Sequence, residues 1–521
     1  MPLSEVEPGP GGSLPELPPS RLRAWALWLV LLTAVSRLPL LVHPRAVDDE
    51  RVYSVVAHEM LDGGKPYRDA IERKPPALFW TYAAIYRVVG KYNWAGLHLA
   101  ALLWVLLTMA GLYAIGRALF GATAGLIAAL LYGVYQPWWP GQTLALNGEV
   151  LMNLPLAWGA FLTLRRSASR TRPELLAAGV LFALAFLLKQ PAAIAAVPFG
   201  VYLLLPAYRK SRGLRPREAL LHASLLTLGF FATLGGVLLV LRAQGILAEA
   251  LYWTIGDHSD PYFNLGNATG YSLAFIAICA PLLIAGARAV RQTRSSAPGA
   301  WSGKRAELLA LVLWLAVSAV GVAAGGRFYP HYYIQLIPPL ALLAAPGLAG
   351  FDRMPRRREL LGAVAVTALA LTVIHPLRLQ RNRNAESLGE FLQANSTPQD
   401  RIFVWGQAAD LYLEARRRPA SRYITTFPLT GYVFGSPRSW DPSFDTSNRI
   451  LPGAWDNLAR DFAAHPPLYI VDTDAARPLP RYPMAGYPYL RDLVATHYRL
   501  LRRSRAGLIY RRVDPVIAPH S

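Results

Sequence analysis

The stretch Ala24-Trp25-Ala26-Leu27-Trp28-Leu29-Val30-Leu31-Leu32-Thr33-Ala34-Val35 runs on to Leu40-Leu41-Val42, with Asp48-Asp49-Glu50 a few residues beyond. Its reading decides how the rest of the chain is read. An apolar run of about 20 residues is long enough to cross a hydrocarbon core of roughly 30 Å. Three consecutive carboxylates at the surface of such a core are costly to hold there. They open a loop, 45–93, in which Val52, Val55, Val56 and Met60 recur at helical spacing and Lys74-Pro75-Pro76 follows. Carboxylates on a helix lying along a bilayer are placed to meet a substrate that is half lipid and half polar.

The rest of the chain repeats the first apolar run many times over. Of 521 residues 53% are hydrophobic and only 16% charged, against about a quarter charged in a soluble protein, and the mean hydropathy is positive. Eleven candidate spans lie near 22–42, 94–116, 121–138, 144–164, 174–188, 190–207, 218–241, 271–288, 306–325, 331–348 and 358–376. The charge bias tests that count. Basic clusters occur at Arg165, Arg166, Arg170 and Arg172; at Arg209, Lys210, Arg212, Arg215 and Arg217; at Arg288, Arg291, Arg294, Lys304 and Arg305; and at Arg353, Arg356, Arg357 and Arg358. With eleven spans and a cytoplasmic N-terminus all four fall on the cytoplasmic side, as the positive-inside rule demands. The apolar stretch 77–89 is too short to span comfortably, and counting it would put every cluster outside. It reads as interfacial.

Those clusters account for most of the net charge of +21, so nucleic acid is not the expected partner. The single cysteine, Cys279, lies inside a span, which excludes an intrachain disulfide and leaves the redox compartment unread. Residues 1–20, rich in Pro and Gly, read as a disordered cytoplasmic tail. The first span is longer than a signal-peptide core and lacks a small-residue cleavage site after it, so it should stay as an anchor. The expected division is a transmembrane catalytic domain over 21–376 and an extracytoplasmic α/β domain over 377–521. In the latter, 401–405, 421–425 and 468–472 read as strands, 408–417 and 455–464 as helices, and 498–503 with 507–512 as a closing hairpin.

The pattern Asp49-Glu50 with Tyr53, then Lys74-Pro75-Pro76 with Phe79 and Trp80, is joined by further pieces. These are Gly116-Arg117-Ala118-Leu119-Phe120-Gly121, Asn147-Gly148-Glu149 opening the fourth span, Lys189 at the sixth, and Arg327-Phe328-Tyr329-Pro330-His331-Tyr332 leading to Gln335 and Pro338. In order and topology, over roughly residues 20–375, the chain resembles glycosyltransferase family 39. That is the protein O-mannosyltransferase and aminoarabinose-transferase group of the GT-C superfamily of integral-membrane glycosyltransferases. The resemblance implies a GT-C-like α-helical polytopic membrane protein with about eleven transmembrane helices. It also implies an inverting transfer of a sugar from a polyprenyl-phosphate carrier to an acceptor hydroxyl on the outer face of the plasma (inner) membrane.

A hydroxyl attacking an anomeric carbon needs a base, and a carboxylate within hydrogen-bond reach serves. Family position gives that role to Asp49; the extra Asp48 before it and Glu50 after it leave the register open by one. The alternative is that these acids cap the interfacial helix. Glu149 reads as an acid orienting the acceptor or sharing a divalent cation with Asp49, or as a helix-start carboxylate favoured by the dipole. Two carboxylates without His or Cys suit a hard, oxygen-loving ion better than zinc; no cofactor is assigned. The departing polyprenyl phosphate needs fixed positive charge, for which Lys74, Lys189, Arg327 and His331 are the candidates, against the reading of span-end cations as snorkelling anchors. Arg37 reads as such an anchor and Trp138-Trp139 as an interfacial belt. Asp257, His258 and Asp260 read as part of an ordered outer loop, and Arg416-Arg417-Arg418 as a solvated or headgroup-facing patch.

Two other functions compete: a ligase moving a whole lipid-linked glycan, and a flippase or transporter of lipid-linked sugar. Transporters keep polar residues near the bilayer midplane, whereas the notable charges here gather at one surface. The sugar, and whether a lipid, glycan or protein accepts it, are not encoded in any motif. Reporter fusions at residue 300 and at the C-terminus should report opposite sides of the membrane; the same side for both would sink this topology.

Overall fold

The computed structural model describes residues 18–42, 47, 49–165, 172–256, 262–294, 304–349, 357–378, 383–432, 441, 444–475 and 481–513. Asp48, Asp257, His258, Asp260, most of the N-terminal tail and Arg166, Arg170, Arg353 and Arg356 of the basic clusters lie outside the described residues. A helix stands at each of the eleven apolar segments. They are Pro19–Val42, Trp94–Phe120, Ala122–Tyr135, Gly148–Leu164, Arg172–Leu188, Ala192–Leu204, Pro216–Ala243, Leu265–Arg294, Arg305–Ala323, Ile337–Ala349 and Arg357–Arg378. Among the described residues six helices are long and apolar enough to cross a membrane. Counting Ala192–Leu204 with Pro206–Arg212 as one span bent by 55° makes seven. Others fall short: the 14 residues of Ala122–Tyr135 reach about 21 Å at 1.5 Å per residue. The chain is a multi-pass helical membrane protein, with fewer full-length spans than the eleven helices that occupy the expected places.

The chain divides into two compact units, one of residues 1–45, 98–240 and 265–379, the other of residues 46–97, 241–264 and 380–521. In the first, Gly148–Leu164 packs on Arg172–Leu188, Leu265–Arg294 on Ile337–Ala349, Ile337–Ala349 on Ala122–Tyr135, and Arg305–Ala323 on Ala192–Leu204. Helices in lipid gain little from burying apolar surface, so close backbone approach through small residues has to hold them. Gly179 and Gly229 supply such an approach. A Cβ on Gly179 would lie 2.0 Å from the Leu226 carbonyl oxygen, and one on Gly229 would lie 2.2 Å from that of Leu176. Trp138 is not part of a belt at the bilayer surface. It is fully buried, its Nε1 donates to the Pro330 carbonyl at 3.0 Å, and its ring packs on Phe275 and Tyr333.

The second unit groups residues 46–97 and 241–264 with residues 380–521. Helices Glu50–Leu61 and Pro76–Val89 form in the loop and pack on each other. The stripe read as bilayer-facing is largely withdrawn into the protein: Val55 and Val56 are buried, Val52 and Met60 half-buried. Helical spacing reveals an apolar face, not whether protein or lipid covers it.

Five strands form one sheet: β1 (Arg401–Trp405), β2 (Arg418–Pro419), β3 (Tyr469–Asp472), β4 (Tyr498–Ser504) and β5 (Gly507–Arg512). The order is β2-β1-β3-β5-β4, with β1 parallel to β2 and β3, and β5 antiparallel to β3 and β4. The expected strand at 421–425 is absent, because its polar groups are engaged elsewhere. Ser421 Oγ and the Arg422 amide donate to Asp461 Oδ2 at 2.9 and 3.0 Å, and the Arg422 carbonyl accepts from the Ile71 amide at 3.0 Å.

The three arginines before it are not a solvated patch. Arg417 is buried and donates to the carbonyls of Gln393 and Ser396 at 3.0 and 2.7 Å. Arg418 forms a two-pronged pair with Glu59, Nε to Oε1 at 2.9 Å and Nη2 to Oε2 at 2.7 Å. Only Arg416 is exposed, with its guanidinium 5.6 Å from the Tyr92 ring centre. The Arg418→Leu variant strands the Glu59 carboxylate, whose side chain is 3% exposed. Breaking a buried pair on one side costs about 3–5 kcal/mol. With Arg418 itself 29% exposed, the lower end of that range is expected. Thermal unfolding in detergent, with proteolysis of the loop as a second readout, would contradict this if the melting curve were unmoved.

Candidate functional site

Asp49 sits at the start of helix Glu50–Leu61, yet its side chain makes no capping hydrogen bond. Its Oδ2 instead accepts the Tyr53 hydroxyl at 2.8 Å, one helical turn on. Capping alone therefore fails as an account of this acid. Glu50 does the local structural work: it is fully buried and its Oε2 accepts the Val47 amide at 3.0 Å, fixing the chain where it turns into the helix. The Tyr53 ring, 1% exposed, is seated edge-on against Tyr82 at 5.6 Å and Phe79 at 6.4 Å.

Lys74 is brought to the same tyrosine, its Nζ 6.0 Å from the Tyr53 ring centre and 3.8 Å from Glu72 Oε1. The Tyr67 hydroxyl holds the Lys74 carbonyl at 2.7 Å. Tyr67 does so from the left-handed backbone region, φ 68°, a conformation that a bulky residue keeps only when its surroundings over-determine it. Tyr53 thus carries Asp49 on its hydroxyl and Lys74 over its ring, all within the second unit.

Glu149, Lys189, Arg327 and His331 belong to the helical unit, and two of them meet directly. Glu149 Oε1 lies 3.0 Å from Lys189 Nζ, the side chains 1% and 8% exposed. The same ammonium stands 5.1 Å from the Tyr332 ring centre. Gly148 makes the pair sterically feasible, since a Cβ there would lie 2.8 Å from Lys189 Cδ. Lys189 is therefore neutralised by Glu149 rather than left to snorkel. His331 is buried and lies flat against Tyr329, ring centres 5.7 Å apart, with Tyr332 edge-on at 4.8 Å. Arg327 is half-buried, and its carbonyl accepts from Asn267 Nδ2 at 2.9 Å. The next residue, Phe328, again adopts positive φ, 51°. Both cation-bearing segments, then, contain a non-glycine residue in the left-handed region.

Arg37 is the residue the sequence reading misjudged most. It is not an anchor at a bilayer surface but 2% exposed. Its Nη2 donates to Gln136 Oε1 at 2.6 Å and its Nη1 to the Leu144 carbonyl at 3.0 Å. Gln136 Nε2 passes the connection on to the Thr143 carbonyl at 2.6 Å. The segment so clamped leads straight into Asn147-Gly148-Glu149. The signal available in the sequence was a charge inside an otherwise apolar run, which snorkelling and burial produce alike.

Among the described residues no group of three or more His, Cys, Asp or Glu side chains comes together to hold a metal ion. Glu149, the acid considered for one, already faces an ammonium, and no metal role is assigned to it.

Residues 73–235 match the family model described as dolichyl-phosphate-mannose-protein mannosyltransferase. No curated protein matches the chain in sequence. In fold, the chain is similar to ArnT from Cupriavidus metallidurans bound to undecaprenyl phosphate, with a TM-score of 0.65, 16% identity, and 96% of this chain and 99% of that chain covered. It is also similar to the Archaeoglobus fulgidus oligosaccharyltransferase in complex with Zn and sulfate, at TM-score 0.54, 13% identity, and 86% and 68% covered. The family model covers residues 73–235, and the solved structures share the fold.

The buried pair gives a direct test. Lys189→Met should cost about 3–5 kcal/mol by leaving Glu149 charged and alone. Adding Glu149→Gln should restore most of the stability without restoring activity. Thermal unfolding of the two singles and the double forms the cycle; strictly additive losses would show that the two groups are not coupled.

Proposed function

We propose that the chain is a membrane glycosyltransferase that moves a sugar from a polyprenyl-phosphate carrier to an acceptor hydroxyl, by inverting displacement, on the outer face of the plasma membrane. The observation that carries the proposal is Asp49, a carboxylate at a helix start that makes no cap bond and is held by the Tyr53 hydroxyl. A carboxylate fixed in that way is suited to accept the proton of an attacking hydroxyl. The lipid carrier is inferred from the family model and from the fold shared with ArnT, which was solved with undecaprenyl phosphate bound.

The phosphate leaves as an anion, and preorganised cations lower the energy of the charge that develops on it. Arg327, beside a backbone held in the left-handed region at Phe328, is a candidate for that role in the helical unit, and Lys74 is a separate candidate in the other unit. Lys189, already paired with Glu149, serves rather to fix that acid. His331, stacked between tyrosines, shapes the wall of the same turn. Glu50 positions Asp49 through the Val47 amide. An outer location for residues 377–521 and a cytoplasmic N-terminus follow from the charge bias of the loops. The acceptor is a hydroxyl of a lipid, glycan or protein.

Asp49→Asn keeps size and most hydrogen-bonding capacity but does not accept a proton at neutral pH. It should reach the membrane at normal level and lose a factor of about 10²–10⁴ in transfer rate. Arg327→Ala should weaken use of the donor by about 1.5–3 kcal/mol, the worth of one charge-assisted contact. Asp48→Asn and Glu50→Gln made beside them test the register. Normal transfer by Asp49→Asn would refute the assignment of the base, and normal transfer by all three acid variants would remove the acidic loop from the chemistry.

A further inference from the structure

Four buried side chains of the helical unit present oxygen acceptors that no hydrogen-bond donor among the described residues meets. They are Asn147 Oδ1, Glu149 Oε2, Asn153 Oδ1 and Gln335 Oε1, on residues between 0% and 2% exposed. Side-chain contacts tie the last three into one neighbourhood. Glu149 and Asn153 lie one turn apart on helix Gly148–Leu164. Asn153 Nδ2 reaches the Ile334 carbonyl at 3.3 Å and the Tyr132 hydroxyl at 3.4 Å. Gln335, next in the chain, donates from Nε2 to the Tyr332 carbonyl at 2.9 Å, and Tyr332 lies under the ammonium that pairs with Glu149.

The amide nitrogens are committed to carbonyls, so exchanging N for O would set two oxygens against each other. The free ends are therefore acceptors. Gly321 keeps one of them in place, because a Cβ there would lie 2.6 Å from Gln335 Oε1.

An unmet buried acceptor costs about 1–3 kcal/mol, and a group of them calls for donors from outside the chain, water or ligand. The needed ligand is rich in donors and carries no negative charge. A phosphate diester offers only acceptor oxygens and would be repelled here. Sugar hydroxyls are donors, neutral, and several to a ring. We propose that Asn153 and Gln335, beside Glu149, read the hydroxyls of the sugar ring on the lipid-linked donor and so set which sugar is transferred. This rests on the transferase reading above and adds to it a specificity site distinct from the phosphate cations. Sites built to bond a hydroxyl discriminate strongly against a ligand that lacks it, because their buried polar groups are then left unpaired.

The test compares affinities of the purified full chain in nanodiscs for bare undecaprenyl phosphate and for the same carrier bearing glucose, mannose, arabinose or N-acetylglucosamine. The wild type should bind at least one sugar-bearing carrier more tightly than the bare one. Asn153→Leu and Gln335→Met, both close to their parents in volume and on different elements, should each cut that ratio by about tenfold, roughly 1.4 kcal/mol. Affinity for the bare carrier should stay unchanged in both, which a merely structural role would not allow. A ratio retained in both variants, equal losses for bare and sugar-bearing carrier, or a wild type indifferent to every sugar would overturn the inference while leaving the transferase reading standing. A donor ratio intact beside a raised KM for a saccharide acceptor would likewise overturn it, by moving the hydroxyls to the acceptor. A wild type that binds no carrier at all would sink the transferase reading itself.

Discussion

A guanidinium is never without its charge, and Arg37 holds one where water is excluded. That constraint orders much of the helical unit. A buried charge must be met by hydrogen bonds or the fold pays several kcal/mol. The donors of Arg37 are met by Gln136 and by the Leu144 carbonyl, so the segment between two helices closes over the first. Its far end then delivers Gly148 and Glu149 to Lys189, and Lys189 to Tyr332. Glu149, on the fourth of these helices, is thus placed by a cation of the first.

The second unit solves a different problem, with different means. Its loop is too polar to be held by apolar packing alone, and two-pronged arginine pairs do much of the fastening. Glu59 with Arg418 and Asp461 with Arg422 tie the loop, the edge strand and helix Ala454–Ala464 together. On that base, aromatic rings set Tyr53 so that its hydroxyl meets Asp49. Positions held by several independent contacts tolerate the strained backbone at Tyr67.

Hydropathy made the eleven apolar helices legible, because period and length are properties of the chain itself, whereas Leu247–Ile255, Arg383–Ala394 and Pro488–His497 were not expected. Strands β1 and β3 and the final hairpin were equally readable from their short apolar runs. What escaped was partnership. Val55 and Val56 look the same whether lipid or protein covers them; Trp138 looks the same in a belt or in a core. Arg37, Arg417 and Arg418 look like surface cations until their carbonyl and carboxylate partners are known. Motif order pointed to Asp49, Lys74, Glu149, Lys189, Arg327 and His331, but not to which of them neutralise one another. Asn153 left no trace, since one neutral amide in an apolar run changes neither periodicity nor charge.

The grouping of residues 46–97 with residues 380–521 has a consequence for how the molecule is made. The loop that carries Asp49 leaves the ribosome long before Arg418 and Arg422, which fasten it. Contacts that distant in sequence form slowly and only after the intervening chain is in place. Helix Glu50–Leu61 must therefore wait, with Glu59 uncompensated, through the insertion of nearly every span. During that interval the polyprotic loop is open to proteases and to chaperones alike, and a nascent chain stopped short of Arg418 holds all of its membrane helices but an unfastened acid. Synthesis of Arg418 is thus also the step that lets the loop be fastened.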